Sequence, residues 1–372
     1  MSELIPVTLA GIVLAWVSHL FSKYDHLHDR YFRKDRVVYL VMSVILVLYV
    51  GLRTGYNDTG IYTRIYEAIS PDTPLMEDIH WLAVGENPGF HFTNRVLVRL
   101  GFSTQSFLMF YAVITLSIYL WFIRKYSCNI WLSIFLMFTM GVYTFTLAAI
   151  KQCVAVAFAL VATDRAIRRQ YVSFVLWILL AALFHPYALM YLLVPLLMFE
   201  PWSGKSVALL AVFGLMGLFL ESLIGTVVNI TDFLGEGYDT DTFTGEGVNP
   251  IRVAVVAVPA LIALIARRLI KQADDPVNNL MVNLAMLNAE IMFVGLFGTA
   301  IYFGRLANYF LILQTIALPW LFTHFERRSR RLLTSGAVAC YALYYIYTNA
   351  IHESFDHHFY STTLVEYLES LF

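Results

Sequence analysis

Four cationic or titratable side chains lie at the edges of long apolar runs or inside them. They are Arg53, Lys151, His185 and Arg305. A cation that is half-buried in a membrane usually faces a polar cavity or pairs with an anion. Asp58, five residues after Arg53, could neutralise one of these cations, but a surplus of positive charge would remain. Such a surplus suits phosphate or pyrophosphate, which arginine binds through paired hydrogen bonds.

Asp58 and His185 are the candidates for moving a proton. Asp58 stands just beyond an apolar run, in Tyr-Asn-Asp-Thr-Gly-Ile-Tyr. There it can act as a general base for a hydroxyl, or it can simply form an Asx turn. His185 precedes Pro186 and is an alternative base, a substrate contact or a structural histidine. The residues alone leave these choices open.

Simpler explanations exist for several of the basic residues. Arg53, Arg252 and Arg305 lie near the ends of apolar runs, where an arginine can snorkel to lipid headgroups. Lys151 is harder to explain in this way because apolar residues flank it on both sides. Arg95 and Arg99 fall on a pattern typical of an amphipathic helix that lies on the membrane surface.

The composition places these residues in a membrane protein. Of the 372 residues, 59% are hydrophobic and 14% are charged, and the mean hydropathy is +0.67. A soluble domain carries about 25% charged residues, so a soluble enzyme is excluded. The balance of 25 basic and 26 acidic residues also excludes an electrostatic nucleic-acid binder. The three cysteines have no spacing typical of a metal site or a disulfide framework.

Apolar runs long enough to approach a membrane crossing recur along the whole chain. Two stretches are ambiguous, because Ile130–Ala162 would be about 50 Å long as one helix and Val172–Met198 about 40 Å. The clear runs are Leu4–Phe21, Val37–Leu52, Ser106–Ile123, Val207–Gly225, Ile251–Ala266, Leu280–Gly298, Leu306–Thr323 and Leu332–Ala350.

Basic residues predict the topology, because short cytoplasmic loops collect Lys and Arg. The basic loops all lie on the cytoplasmic side only if each of the two ambiguous stretches runs to the outer side of the membrane and then returns. We therefore predict an all-α polytopic protein with about 12 membrane segments and both termini outside. His185-Pro186 would form the tip of a broken or re-entrant hairpin on the outer side, because proline breaks a helix. The basic residues left on the outer side or in its helix ends are Arg53, Arg64, Arg95, Arg99, Lys151, Arg252 and Arg305.

The domain organisation follows from this topology. Residues 1–372 form a single integral membrane domain. Residues 53–105 form an extracytoplasmic loop with amphipathic helices. Residues 226–250 form a flexible, acidic extracytoplasmic loop.

Four short segments of the sequence resemble the EpsG-like branch of the Wzy-type polysaccharide polymerases. The resemblance covers roughly residues 37–319. It departs from the family pattern at Asn87, which is inserted after Glu86, at Lys151, where arginine is usual, and at Pro186-Tyr187. The matching segments are Gly51-Leu52-Arg53 with Asp58 to Tyr66, Glu86 to Phe90 with Asn94, Lys151-Gln152, and Leu183-Phe184-His185.

The resemblance implies a specific activity. Such enzymes join oligosaccharide repeat units carried on undecaprenyl pyrophosphate, at the outer face of the bacterial cytoplasmic membrane. The product would be an O-antigen, a capsule or an exopolysaccharide. A GT-C-like helical bundle, no metal ion and no cofactor beyond the lipid carrier are implied. Membrane lipids, a flippase and a chain-length regulator are implied as partners, and nucleic acid is not.

The resemblance and the chemistry together give each candidate residue a role. Asp58 is the predicted base, and His185 is the alternative base or an acceptor contact. The predicted pyrophosphate ligands are Arg53, Lys151, Arg305 and Arg252. The predicted sugar contacts are Tyr56, Tyr62, Gln152 and Tyr309.

Other functions fit parts of the same pattern. An O-antigen-ligase-like enzyme or a single-sugar lipid-linked glycosyltransferase would use similar cations and outer loops. A lipid-linked oligosaccharide flippase would show inverted repeats and a central charged cavity, and no internal repeat is evident. An outer-face O-acyltransferase would need His185 as its base.

Overall fold

The computed structural model describes residues 4–25, 30–81, 86–218, 247–352 and 359–370. About 77% of the structure is helical, so the predicted all-α membrane protein is confirmed at that level. Of the predicted acidic loop 226–250, residues 226–246 lie outside the described residues.

The helices of the first half of the chain run as far as the predicted hairpin. They are α1 (Leu4–Phe21), α2 (Val37–Gly51), α3 (Thr59–Glu67), α4 (Pro88–Arg99), α5 (Thr104–Tyr126), α6 (Ile130–Thr139), α7 (Val142–Ala148), α8 (Ile150–Ile167) and α9 (Tyr171–Ala182).

The second half begins with a 3-10 helix, Pro186–Leu197, and it contains a π-helical turn, Tyr347–His352. The α-helices are α10 (Gly204–Leu218), α11 (Pro250–Ile265), α12 (Arg267–Ala273), α13 (Pro276–Val294), α14 (Ala300–Thr323), α15 (Arg327–Ile346) and α16 (Leu364–Glu369).

By length and composition, four described helices can cross a membrane: α1, α5, α13 and α14. Two bent pairs, α6 with α7 and α11 with α12, raise the number to six if each pair is one span. Shorter apolar helices, α2, α9 and the 3-10 helix, accompany them. The total of about 12 membrane segments and the GT-C likeness stay predictions.

Both ambiguous stretches contain breaks in the structure. Within Ile130–Ala162, the chain bends by 50° between α6 and α7. Gly141 at this bend has a φ of 80°, a left-handed conformation that glycine adopts without steric cost. Within Val172–Met198, α9 ends before His185, and the 3-10 helix starts at Pro186 and packs against α9.

The centre of the bundle is the packed pair of α13 and α14. Amide side chains connect these helices inside the apolar core. Gln314 Nε2 donates to the Asn288 side-chain oxygen at 2.5 Å and to the Val256 carbonyl at 3.0 Å. Such bonds between helices satisfy polar groups that lipid cannot satisfy.

Two short antiparallel sheets close the loops at the ends of helices. One joins β1 (Lys23–Asp25) to β2 (Arg30–Arg33). The other joins β3 (Arg53–Gly55), directly after α2, to β4 (Tyr360–Ser361). The sequence analysis predicted neither sheet.

A buried carboxylate connects the predicted cytoplasmic loops. Asp164, in the last turn of α8, accepts hydrogen bonds from Lys125 and from the Tyr126 hydroxyl, and it pairs with Arg168 at 3.1 Å. The basic residues that predicted two different inner loops therefore meet at one end of the bundle.

Candidate functional site

Arg53 organises the turn between β3 and α3. Its side chain is 1% exposed. Nη1 donates to the Val50 carbonyl at 2.6 Å, and Nε donates to the Thr59 hydroxyl at 3.2 Å. As placed, the guanidinium contacts protein atoms and not an open surface. The Arg53 guanidinium thus supports the β3–α3 turn, and its predicted contact with pyrophosphate stays a prediction.

Asp58 lies directly before α3 and is half-buried. Its backbone carbonyl accepts the first helical hydrogen bonds, and its side chain does not cap the helix. Tyr62, one turn later, lies in the electrostatic fields of both Asp58 and Arg305. The predicted base and a predicted pyrophosphate ligand are thus neighbours of the same tyrosine.

The interruption of the helix at His185 is held in place by hydrogen bonds from α4 and α14. The backbone N–H of Gly89, at the start of α4, donates to the Leu183 carbonyl at 2.9 Å. On the other side, the Tyr309 hydroxyl and His185 Nδ1 are hydrogen-bonded at 2.9 Å. Tyr309 is completely buried, and its hydroxyl fixes the orientation of His185. Its predicted contact with a sugar stays a prediction.

Lys151 and Arg305 are the two charges that act on His185. Lys151 is half-buried in the first turn of α8, and its Nζ lies 6.0 Å from the centre of the Phe90 ring. Arg305 is exposed in the second turn of α14. Gln152 Nε2 donates to the Arg305 backbone carbonyl at 2.6 Å. Gln152 thus connects α8 and α14, the helices that carry Lys151 and Arg305. The sequence analysis predicted a sugar contact for Gln152 but not this connection.

His91 belongs to the same region, and the sequence analysis did not select it. It lies on α4, outside the membrane-spanning helices. Burial and the nearby charges of Lys151 and Arg95 lower the pKa of His91, which keeps the ring neutral near pH 7. The signal available in the sequence was its position beside Phe90 in the second resembling segment.

A separate cavity of about 710 Å³ adjoins this cluster. Arg252 and Tyr56 line it, whereas Lys151 and His185 do not. Arg252 Nη2 donates to the Asn308 side-chain oxygen at 2.9 Å. The structure therefore places eight of the ten predicted site residues in or directly behind one cluster, and it places Tyr56 and Arg252 in the neighbouring cavity.

The sequence analysis also missed the strand β4. It pairs with β3, and the backbone N–H of Thr362 donates to the Leu52 carbonyl at 2.9 Å. Phe359 stacks on Tyr49 at a ring-centre distance of 4.5 Å. A strand from far along the chain therefore holds the turn that carries Arg53 and Asp58.

Within the part of the chain that the structure describes, no group of three or more His, Cys, Asp or Glu residues is arranged to hold a metal ion. The charged groups gathered at the site are Asp58, Lys151 and Arg305, with Arg53 behind them. Two accessible cations beside a carboxylate and a neutral imidazole can stabilise a leaving anion and accept a proton.

Comparison with known proteins agrees with this chemistry. Neither the curated proteins nor the solved structures gave a match. The EpsG family, a family of Wzy-like polysaccharide polymerases, matches residues 36–363 and thus most of the chain. The match includes every residue of the cluster and of the adjoining cavity, and on this ground the chain belongs to the EpsG family.

Proposed function

We propose that this protein polymerises oligosaccharide repeat units carried on undecaprenyl pyrophosphate, at the outer face of the bacterial cytoplasmic membrane. The observation that carries the proposal is that α8 and α14 bring Lys151, Arg305 and His185 together. Gln152, next to Lys151, donates to the Arg305 carbonyl at 2.6 Å, and Tyr309, one turn after Arg305, is bonded to His185. Both cations act electrostatically on His185, and Asp58 and Arg305 both act on Tyr62. A pyrophosphate leaving group needs fixed cations, and a sugar hydroxyl that attacks needs a base.

The position of the cluster along α8 supports an outer-face site. Lys151 occupies the first turn of this helix, and Asp164 joins the predicted cytoplasmic loops in its last turn. A helix of 18 residues is about 27 Å long, close to the thickness of the bilayer core. If Asp164 marks the inner side, Lys151 lies at the outer side.

In the proposed reaction, a hydroxyl oxygen of the acceptor sugar bonds to the anomeric carbon of the donor. The bond between that carbon and the pyrophosphate oxygen breaks, and the electron pair leaves with the pyrophosphate. Lys151 and Arg305 stabilise this charge. Asp58 takes the proton of the hydroxyl, with His185 as the alternative base. Tyr62, on which both Asp58 and Arg305 act electrostatically, contacts the transferred sugar.

Because side-chain cations supply the charge stabilisation, we propose that the transfer needs no metal ion. A flippase that delivers the lipid-linked units and a chain-length regulator are the partners that this reaction requires. The polymer is released on the periplasmic or external side as O-antigen, capsule or exopolysaccharide.

The test is polymerisation by purified protein in nanodiscs, with the lipid-linked oligosaccharide of the native pathway as substrate. The wild type should give a ladder at repeat-unit spacing, also with a chelator present. Arg305→Gln and Asp58→Asn should each lower the rate by about 100-fold or more, because each removes a group needed in the transition state.

Matched controls come from exposed residues of the same extracytoplasmic region. Arg64→Gln on α3 and Asp72→Asn should retain the wild-type rate, since both side chains are exposed and outside the cluster. A single added unit without a ladder would indicate a ligase or a single-sugar transferase. Full activity of folded Arg305→Gln would refute the pyrophosphate assignment.

A further inference from the structure

The cavity beside the cluster has the size and location of a ligand site that the proposed reaction has not yet used. Its volume of about 710 Å³ falls within the range of roughly 300–1,000 Å³ that is usual for small-molecule sites. Its walls come from the β3–α3 turn, the α6–α7 bend, the starts of α11 and α14, and the end of α15 with the π-helical turn.

Amide and hydroxyl side chains dominate the polar lining of this cavity. Such groups donate to and accept from sugar hydroxyls, and tyrosine rings pack against sugar faces. Asn249 Nδ2 donates to the Tyr347 hydroxyl at 3.1 Å, which joins the start of α11 to the π-helical turn. The amide and hydroxyl residues in the lining are Asn57, Asn249, Asn308, Asn349, Tyr56, Tyr344, Tyr347, Thr144 and Thr348.

Arg252 is the one charged residue among the described lining residues of the cavity. It is half-buried, and its side chain donates to the neutral Asn308 amide. No described carboxylate forms an ion pair with it. A cation held at membrane depth beside neutral groups favours an anionic ligand, and guanidinium matches the geometry of a carboxylate.

The cavity and the cluster share two structural elements. Asn308 lies in the cavity, one turn along α14 from Arg305. Tyr56 and Asn57 line the cavity, and the next residue is Asp58. A sugar bound in the cavity would therefore lie next to both the predicted base and a predicted pyrophosphate ligand.

We infer that this cavity binds the acceptor repeat unit, and that Arg252 recognises an acidic group on it, such as a uronic acid carboxylate. The inference rests on the proposed function, because it takes the cluster as the place where the donor pyrophosphate leaves. In this inference Arg252 contacts the glycan, and not the pyrophosphate that the sequence analysis predicted for it.

The experiment uses a ligand that lacks lipid and pyrophosphate. The surface polysaccharide of the source strain is cleaved to single repeat units, and their binding to the full-length protein in nanodiscs is measured by calorimetry. Arg252→Gln and Asn349→Ala should each weaken binding by about tenfold or more. Arg64→Gln, which removes an exposed cation outside both the cavity and the cluster, should bind the oligosaccharide as the wild type does.

A chemically reduced oligosaccharide, with each carboxylate converted to an alcohol, tests the role of the charge. The wild type should bind this form about as weakly as Arg252→Gln does, and the difference between the two proteins should disappear. Thermal unfolding of each variant confirms that it is folded.

Three results would overturn the inference: no binding to folded wild type, equal losses in Arg64→Gln and Arg252→Gln, or a native repeat unit without an anionic group. The polymerisation assay keeps the two proposals separate. A ladder without oligosaccharide binding refutes the acceptor cavity alone, whereas binding without a ladder refutes the polymerase.

Discussion

At the scale of single residues, the imidazole of His185 is oriented by a series of hydrogen bonds from two buried tyrosines, Tyr191 and Tyr309. The Tyr191 hydroxyl donates to the Tyr309 carbonyl at 2.6 Å, and the Tyr309 hydroxyl is bonded to His185 Nδ1 at 2.9 Å. A bond to one ring nitrogen fixes which nitrogen carries the proton and where the other one is directed. Tyr309 thus acts on the site through His185.

Tyr309→Phe removes this bond and keeps the packed ring. We expect the kcat of polymerisation to fall by roughly 10- to 100-fold, because a misplaced catalytic group costs about that much. The KM for the lipid-linked substrate should stay unchanged, as measured by initial rates of ladder formation. Tyr143→Phe is the control, since it removes another buried hydroxyl, which donates to the Leu46 carbonyl at 3.0 Å. Equal effects of the two variants would contradict a positioning role.

The sequence indicated which residues belong to the site better than it indicated how they act. Charges next to apolar runs are visible in the sequence, and this signal selected Lys151 and Arg305. Whether a side chain ends in the core depends on contacts between distant segments. Arg53 and Tyr309 have internal partners for that reason, and the sequence analysis assigned both to the substrate.

At the scale of elements, β4 determines the shape of the loop that carries Arg53 and Asp58. Its pairing with β3 is supplemented by the stacking of Phe359 on Tyr49. The helix that follows, α16, has no buried residue. Truncation can therefore remove α16 alone, or α16 together with β4.

A chain that ends before Phe359 should lose at least about tenfold in polymerisation rate, because the β3–α3 turn loses its hydrogen-bonded partner. It should also become cleavable by trypsin after Arg53, which is buried in the full-length protein. Activity in membranes and the fragment pattern after trypsin measure these effects. A chain that ends at Thr363 keeps β4, and we expect it to behave as the wild type. If the shorter chain is as active and as resistant as the longer one, β4 has no role at the site.

Breaks in helices were easier to predict than short strands. Proline and glycine act on the backbone locally, so the interruption at His185-Pro186 could be predicted from the residues themselves. The two residues of β4 form a strand because β3 is beside them, and nothing within β4 indicates that partner.

At the scale of the whole molecule, the Asp164 network holds α5 and α8 together at the end opposite the site. The Asp164 side chain is 2% exposed, against 27% for Lys125. Removing a buried acceptor of several charged hydrogen bonds costs stability, whereas the cations can turn toward water.

Asp164→Asn should lower the free energy of unfolding by about 1.5–3 kcal/mol, the range for hydrogen bonds to a charged group. Thermal or denaturant unfolding in detergent measures the change. Glu200→Gln is the matched control. It removes a carboxylate that pairs with Lys271 at 3.7 Å, with both side chains exposed, and we expect a change below about 0.5 kcal/mol. Equal losses in both variants would show that the buried network adds no stability of its own.

The pairing of β3 with β4 also has a consequence for biosynthesis. The ribosome makes β3 early and β4 late, and the helices from α3 to α15 are made between the two events. Closing so long a loop is slow and entropically unfavourable until the intervening chain has folded. A nascent chain therefore lacks a completed turn around Asp58, and the β3–α3 turn reaches its final form as one of the last steps of assembly in the membrane.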